Sequence, residues 1–482
     1  MSDLRFAIVG AGMSGILSAI KLKEAGLHDV TVYEKADRLG GTWRENVYPG
    51  LSCDVPSHLY SYSFALNPEW SHTYSPGAEI QAYFEDVARR YDVVPSIRFG
   101  EEVTSCAFVD GRWQLRTATG LQDVADVVIA ATGVLHHPKY PDIKGIGDFD
   151  GPMFHSARWD TSVQLDGTRL GIIGTGSTAV QIVGAVVDRV ASLSLFQRTA
   201  QWVLPVPNPA YDDEQRAAFR DHPASLRTLH DELSDLFDFF SGAVVDAQSP
   251  GMAMIEKACL ENLETNVTDP VLRERLRPDY RAACKRLIVS PNFYEAMSSP
   301  NAELVTDPIE AIEARGVRTA DGRLHELDLL VLATGFKADA FVRPMAVTGR
   351  GGRTLEEAWT PRPVAYLSIS VPEFPNFFML NGPNGPVGNF SLIEVAELQL
   401  GYVMQLIGRL ADGDGREICP TDEALAEFEA ARLEASPKTV WATGCRSWYL
   451  DDRGVPSVWP WPFPDFRKAM AEPAWSAYEL RS

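Results

Sequence analysis

Hydrophobic positions in this chain follow a repeated alternation. A short apolar run, Phe6-Ala7-Ile8-Val9, ends in Gly10-Ala11-Gly12-Met13-Ser14-Gly15. Apolar residues then recur at Ile16, Leu17, Ala19, Ile20 and Leu22, and a second run, Val30-Thr31-Val32-Tyr33, ends in Glu34. Unbroken apolar runs of this length predict strands buried on both faces, and the helical spacing between them predicts a crossover helix. The order returns at Leu170-Gly171-Ile172-Ile173, Gly174-Thr175-Gly176-Ser177-Thr178-Ala179 and Leu193-Ser194-Leu195-Phe196. Two further apolar runs, 127–131 and 329–333, lead into Thr132-Gly133 and Thr334-Gly335. Between 209 and 282 the strand patterns stop, and Leu229, Leu233, Leu236, Phe237 and Phe240 fall on one helical face. That face is expected to pack into the core, with a channel wall or a dimer surface as alternatives. A helix is expected from Leu392 to Leu410. The Trp/Pro-rich stretch 458–464 is expected as irregular coil over the first domain, rather than as an extended ligand for a partner.

Strand, glycine turn, helix and strand in that order form the unit that holds a dinucleotide. The glycines let the backbone approach a pyrophosphate, and the helix N-terminus meets its charge. Glu34 lies about 20 residues past the first turn, where an acid accepts hydrogen bonds from ribose hydroxyls. Gly10, Gly12, Ser14, Gly15 and Glu34 therefore read as an FAD site, with Val103 and Thr132 as further contacts. The second unit, with Gly174, Gly176, Ser177 and Thr178, carries no acid at the matching place. Arg198 and Thr199 stand there instead, and a guanidinium suits a 2′-phosphate. That site reads as NADPH. The predicted fold is α/β, with two Rossmann-like dinucleotide-binding domains and a helical insertion. The expected division is 1–145 and 340–482 for the FAD domain, 151–208 and 283–339 for the NADPH domain, and 209–282 for the insertion.

Three segments add chemistry. Phe149, Gly151, His155, Trp159 and Asp160 form Phe-x-Gly-x-x-x-His-x-x-x-Trp-Asp between the two nucleotide units. Gly41-Thr42-Trp43 leads through Tyr48-Pro49-Gly50 to Asp54, and Ala283-Cys284-Lys285-Arg286 precedes Asn292-Phe293-Tyr294-Glu295. Together these resemble the Baeyer–Villiger monooxygenases, flavoenzymes that insert one oxygen atom beside a ketone. The resemblance runs from Phe6 to about Pro464; the chain lacks the N-terminal extension of longer members, which removes no motif. It implies FAD and NADPH as cofactors, a small-molecule ketone and dioxygen as substrates, and an ester or lactone as product, with sulfides as further substrates. It implies that Gly41, Trp43, Asp54 and Tyr60 lie beside the flavin, and that Arg286 reaches the flavin face as the catalytic arginine held by Asp54. It places Lys285 with Arg198 and Thr199 at the 2′-phosphate, Trp448 in a lid over the nicotinamide, and Asn381–Asn384 at the isoalloxazine edge. His155 and Asp160 are assigned to domain coupling. The alternatives are a related monooxygenase acting on nitrogen or sulfur, and an NADPH-dependent flavoprotein reductase or redox sensor.

The formal charge of −21 argues against nucleic acid and anionic membrane as partners. No run of 18 apolar residues is long enough to span a bilayer, no signal peptide precedes the first strand, and no metal site is evident. The six cysteines form no Cys-x-x-Cys pair, which removes the redox disulfide of the reductases that share the doubled architecture. They are expected to be reduced thiols in a cytoplasmic enzyme, acting as a monomer or homodimer.

Overall fold

The computed structural model describes residues 4–388 and 390–482; the first three residues of the 1–145 segment lie outside them. Two five-stranded parallel sheets organise the chain. The first runs Phe377–Met379, Val127–Ala130, Phe6–Val9, Val30–Glu34, Ile97–Phe99. The second runs Met153–His155, Leu329–Leu332, Arg169–Ile173, Ser192–Phe196, Ala302–Val305. Each fingerprint strand is central in its sheet, with the strand leading to Ala-Thr-Gly on one side and the strand leading to Glu34 or Arg198 on the other. Phe6, Ile8, Val32, Val127, Leu170, Ile172, Leu195 and Val331 have no solvent exposure, as strands covered on both faces require.

The neighbouring strand comes unusually close at each fingerprint. Gly10 has φ +105°, and a Cβ there would sit 2.5 Å from the Ala131 carbonyl oxygen. Gly174 repeats this, with φ +114° and 2.3 Å to the Ala333 carbonyl oxygen. Only glycine meets both demands, left-handed backbone and no side chain.

Four helices fill most of the expected insertion: Asp213–Asp221, Pro223–Val244, Pro250–Asn266 and Pro270–Arg275. Asp212, Ser249 and Asp269 cap three of these helices with their side chains. Leu229, Leu233, Phe237 and Phe240 are half-buried, but Leu236 is 57% exposed. The buried face is centred on Leu226, His230 and Ser234, so Leu236 is turned away from it. Short parallel strands Val203–Leu204 and Ile288–Val289 pair where the insertion leaves and rejoins the second domain.

The expected helix is Leu392–Ala411. The tail is irregular coil over the first domain from 458 to 462, as expected, and departs from it at Phe463. Phe463–Ala471 is a helix with a proline in its first turn, and Trp459, Phe463 and Phe466 are buried in the first domain's core. The proline reads as a breaker in sequence, but at a helix start its missing N–H costs nothing. The chain closes with Tyr478–Arg481 antiparallel to Glu417–Pro420.

The cysteine expectation is overturned. Cys284 and Cys445, 161 residues apart, form a disulfide, and Cys53, Cys106, Cys259 and Cys419 are free and buried. Spacing could not reveal it, because the fold brings together two cysteines distant in sequence. Among the described residues no helix is long and apolar enough to cross a membrane, and no cluster of metal-binding side chains occurs. Thiol titration of unreduced, denatured protein should count four groups, rising to six after reduction.

The insertion docks on the first domain through His58, whose ring lies 4.7 Å from Phe219 and 5.2 Å from Tyr211. His58 is buried and neither ring nitrogen has a hydrogen-bond partner. Burial, then the nearby His230, pushes it down to about 4 from 6.5. The folded state favours the neutral ring, so this stability is complete above pH 6.5 and drains away as pH falls toward 4. The loss is at most about 3 kcal/mol. Chemical denaturation at pH 7 and pH 4.5 should show His58→Phe losing less stability on acidification than the wild-type protein.

Candidate active site

The first nucleotide cradle forms where the helix Met13–Glu24 starts at Gly12. No side chain caps that start, in contrast with three of the four insertion helices, and its leading N–H groups are left for a ligand. Gly41, at φ +55°, passes so near that a Cβ on it would lie 3.1 Å from the Gly12 Cα. Glu34 is buried at the end of its strand. Its carboxylate accepts from the Ala11 N–H at 2.9 Å, the Ala36 N–H at 3.0 Å and Arg44 Nη1 at 2.9 Å. Arg44 also pairs with Glu45, which accepts from Arg158 at 2.7 Å, so an ion chain runs from Glu34 into the linker. Asn381 Nδ2 donates to Ser14 Oγ at 3.3 Å, while the buried Asn381 Oδ1 has no partner. Trp43 Nε1 donates to Tyr60 Oη at 3.1 Å. Thr132 is half-buried after its strand, and Val103 is buried at the start of a strand in a separate four-stranded sheet. An acid at the ribose position, an open helix start, a glycine cradle and an orphaned amide oxygen together fit FAD.

The second cradle repeats the open start. The helix Ser177–Val186 begins at Gly176 without a side-chain cap, and a Cβ on Gly176 would meet open space. Ser177 and Thr178 are half-buried in its first turn. Thr175 Oγ1 donates to the Thr199 carbonyl at 2.9 Å and fixes the loop after Phe196. Arg198 is exposed on that loop and forms no ion pair among the described residues. Lys285 lies over the Tyr280 ring at 4.5 Å. Burial lowers its pKa, and Arg198 lowers it further, with Asp279 opposing. Two neighbouring cations with so little acid between them are relieved by an anion, which fits the 2′-phosphate of NADPH.

A loop of the first domain brings the cradles together. Tyr48 Oη donates to Gln181 Oε1 at 2.8 Å, and Gln181 Nε2 donates to the Ser52 carbonyl at 3.0 Å. Gly50 lets the loop press on the second domain's helix, since a Cβ there would lie 2.5 Å from the Gln181 carbonyl oxygen. This contact carries Asp54 to Arg286. Arg286 Nε donates to Asp54 Oδ2 at 3.0 Å, Nη2 donates to the same oxygen, and Nη1 donates to the Gly388 carbonyl. Ala283, just upstream, holds φ +59°, a strained backbone for a residue with a Cβ. Burial works against the Arg286 charge, but Asp54 beside it pushes the pKa well above the ordinary arginine range. The Arg286 side chain stays 29% exposed, so the cation keeps an open face.

The linker positions sort into two kinds. His155 has no exposure; its Nδ1 accepts from the Ala157 N–H at 3.1 Å, and its Nε2 donates to the Gly335 carbonyl at 3.0 Å. Both nitrogens are engaged, and burial lowers its pKa, so it serves as a neutral clasp between linker and Ala-Thr-Gly turn. Gly151 admits the Asp328 carbonyl, 2.6 Å from where a Cβ would be; Phe149 joins the core beneath, and Trp159 packs on Phe154. Asp160 does not meet His155: it is exposed and accepts from the Ser162 N–H and hydroxyl, a local turn. Trp448 is 41% exposed, with its ring 4.1 Å from Tyr449. Sequence reasoning passed over Tyr449 and Gly388, both at Arg286, and Arg44. Adjacency to Trp448 was the one available signal for Tyr449.

Arg198→Ala should raise the apparent Michaelis constant for NADPH by about 10- to 100-fold, the loss of one charge-assisted contact. That for NADH should move little. Steady-state kinetics with both nucleotides give the comparison, and equal losses would remove Arg198 from the phosphate site.

A sequence family described as pyridine nucleotide-disulphide oxidoreductase matches residues 7–213. An uncharacterized monooxygenase of Mycobacterium tuberculosis is 47% identical over 477 residues, covering 98% of this chain and 96% of the relative. A Baeyer–Villiger monooxygenase of Streptomyces coelicolor is 39% identical over 470 residues, covering 96% and 90%. The crystal structure of cyclohexanone monooxygenase from Rhodococcus sp. Phi1 bound to NADP+ has a TM-score of 0.89 at 29% identity, with 99% of each chain covered. A structure titled OTEMO in complex with FAD and NADP gives a TM-score of 0.89 at 27% identity, again over 99% of each chain. The two glycine-started nucleotide helices, the neighbours bound to FAD and NADP and the sequence relatives agree: the chain belongs to the Baeyer–Villiger monooxygenases, flavin-dependent enzymes that use NADPH.

Proposed function

We propose that the enzyme converts a small-molecule ketone to an ester or lactone with NADPH and dioxygen, and that Arg286 is its catalytic residue. The observation that carries this reading is one cation, Arg286, held by an acid from the other domain while keeping an open face. FAD would rest on Gly10, Gly12, Ser14, Gly15, Glu34, Gly41, Trp43, Tyr60 and Thr132, with Val103 farther out. NADPH would rest on Gly174, Gly176, Ser177, Thr178, Thr199, Arg198 and Lys285, with Trp448 as a lid. The segments 1–145 and 340–482 serve FAD, 151–208 and 283–339 serve NADPH, and the linker through His155 couples them.

FAD and NADPH bound in these cradles would supply the chemistry that activates dioxygen for attack on a carbonyl. Arg286 then opposes the negative charge that develops on the ketone oxygen. Arginine suits this role because it stays charged and has only donors to offer. Asp54 takes two of those donors on a single oxygen, the Gly388 carbonyl takes another, and the guanidinium plane is fixed before substrate arrives. Cytoplasmic location rests on the NADPH pool alone, since the cysteines no longer argue for it. Monomer and homodimer both fit this reading.

Arg286→Ala should retain both cofactors, because the phosphate contacts lie elsewhere. Ester formation should fall about 100- to 1000-fold, on the order of 3–4 kcal/mol for one lost electrostatic stabiliser. NADPH consumption should end mainly in hydrogen peroxide. Arg286→Lys should recover little, since an ammonium lacks the planar fork that Asp54 holds. Ester and hydrogen peroxide measured side by side on a ketone panel decide the matter; ester at near wild-type yield from the alanine variant overturns the assignment.

A further inference from the structure

Arg286 has a third neighbour besides Asp54 and Gly388. Tyr449 is 2% exposed, and its hydroxyl lies so close to Gly388 that a Cβ on that glycine would be 1.9 Å from Oη. The Gly388 carbonyl is the same group that receives Arg286 Nη1. The Tyr449 hydroxyl and the Arg286 guanidinium therefore meet at one backbone unit, and each shifts the titration of the other. Arginine has no acceptor, so toward this cation the phenol can act only through its oxygen lone pairs, with its own proton kept.

The segment that delivers Tyr449 is anchored independently of Arg286. Cys445, four residues upstream, is bonded to Cys284, two residues before Arg286. The Ser457 N–H donates to the Tyr449 carbonyl at 2.8 Å, and the Trp441 and Trp448 rings pack on Tyr449 at 5.8 and 4.1 Å. We propose that Tyr449 is a positioning residue for Arg286, a neutral acceptor that completes the clamp begun by Asp54 and the Gly388 carbonyl. Neutrality is the useful property. A second carboxylate at this place would orient the guanidinium equally well but would cancel the charge that opposes the substrate oxyanion. Burial keeps the phenol above the ordinary tyrosine range, against the pull of Arg286, so it remains neutral under working conditions.

This inference rests on the reading of Arg286 as the catalytic cation, and the test separates the two. Tyr449→Phe keeps the ring and removes one oxygen. In the FAD-loaded resting protein labelled with 15N-arginine, the Arg286 Nε–H resonance, assigned by its absence in Arg286→Lys, should shift and exchange faster with solvent. In turnover, ester per NADPH should fall roughly tenfold, as for one hydrogen bond to a charged group. Flavin reduction by NADPH and the Michaelis constant for ketone should stay near wild type. An unmoved resonance, wild-type coupling, or a variant that fails to fold or retain FAD overturns the proposal. Arg286→Ala run in parallel judges the other reading: unimpaired ester formation there sinks the catalytic assignment whatever the resonance does in Tyr449→Phe.

Discussion

The ion pair between Asp54 and Arg286 joins residues 232 positions apart, one from each nucleotide domain. Such a pair is costly to assemble, because both groups lose water, and costly to break, because either partner left alone is a charge short of solvent. It therefore ties the domains at the point where their cofactor cradles converge. The contacts around it serve that geometry. Gly50 and Gln181 bring the Asp54 loop onto the second domain, and the strained Ala283 turns the chain so that Lys285 and Arg286 diverge. Lys285 reaches the Arg198 side, and Arg286 reaches Asp54.

The two domains solve one packing problem twice. A parallel sheet needs helices on its faces, and a dinucleotide needs a helix whose first turn is unoccupied. Glycine at the cap satisfies the second need, since it offers no side chain to take the free N–H groups. The insertion shows the alternative, with Asp212, Ser249 and Asp269 occupying the starts of their own helices. The two fingerprint helices thus begin on a bare glycine, while these three begin on a side chain that takes their free N–H groups. The linker is more than a tether, because Met153–His155 adds an edge strand to the second sheet and His155 clasps the turn after Leu329–Leu332.

Much of the architecture was legible because it is local. Apolar runs, helical spacing and glycine turns each depend on residues within a few positions, so the strands, the insertion helices and Leu392–Ala411 follow from pattern. Glu34 and the missing acid at Arg198 were legible for the same reason, being set by distance from a glycine turn. Leu236 was misjudged because five residues can share a helical stripe while the partner surface covers a narrower one. Phe463 was misjudged because proline stops a helix from within but starts one at its first turn.

The sequence by itself determined the two nucleotide units, their acid and cation ends, and the residues that could carry chemistry. These are properties of short stretches and of residue type. Tertiary structure alone decided which of those residues meet. It paired Cys284 with Cys445 over 161 positions, set Tyr449 against Arg286, left Asp160 in a local turn away from His155, and aligned Asp54 with the arginine. Each of these depends on how two domains and a tail pack, and packing sums many weak contacts between segments far apart in the chain. No window along the sequence contains that sum, so the partners of Arg286 became visible only in the folded molecule.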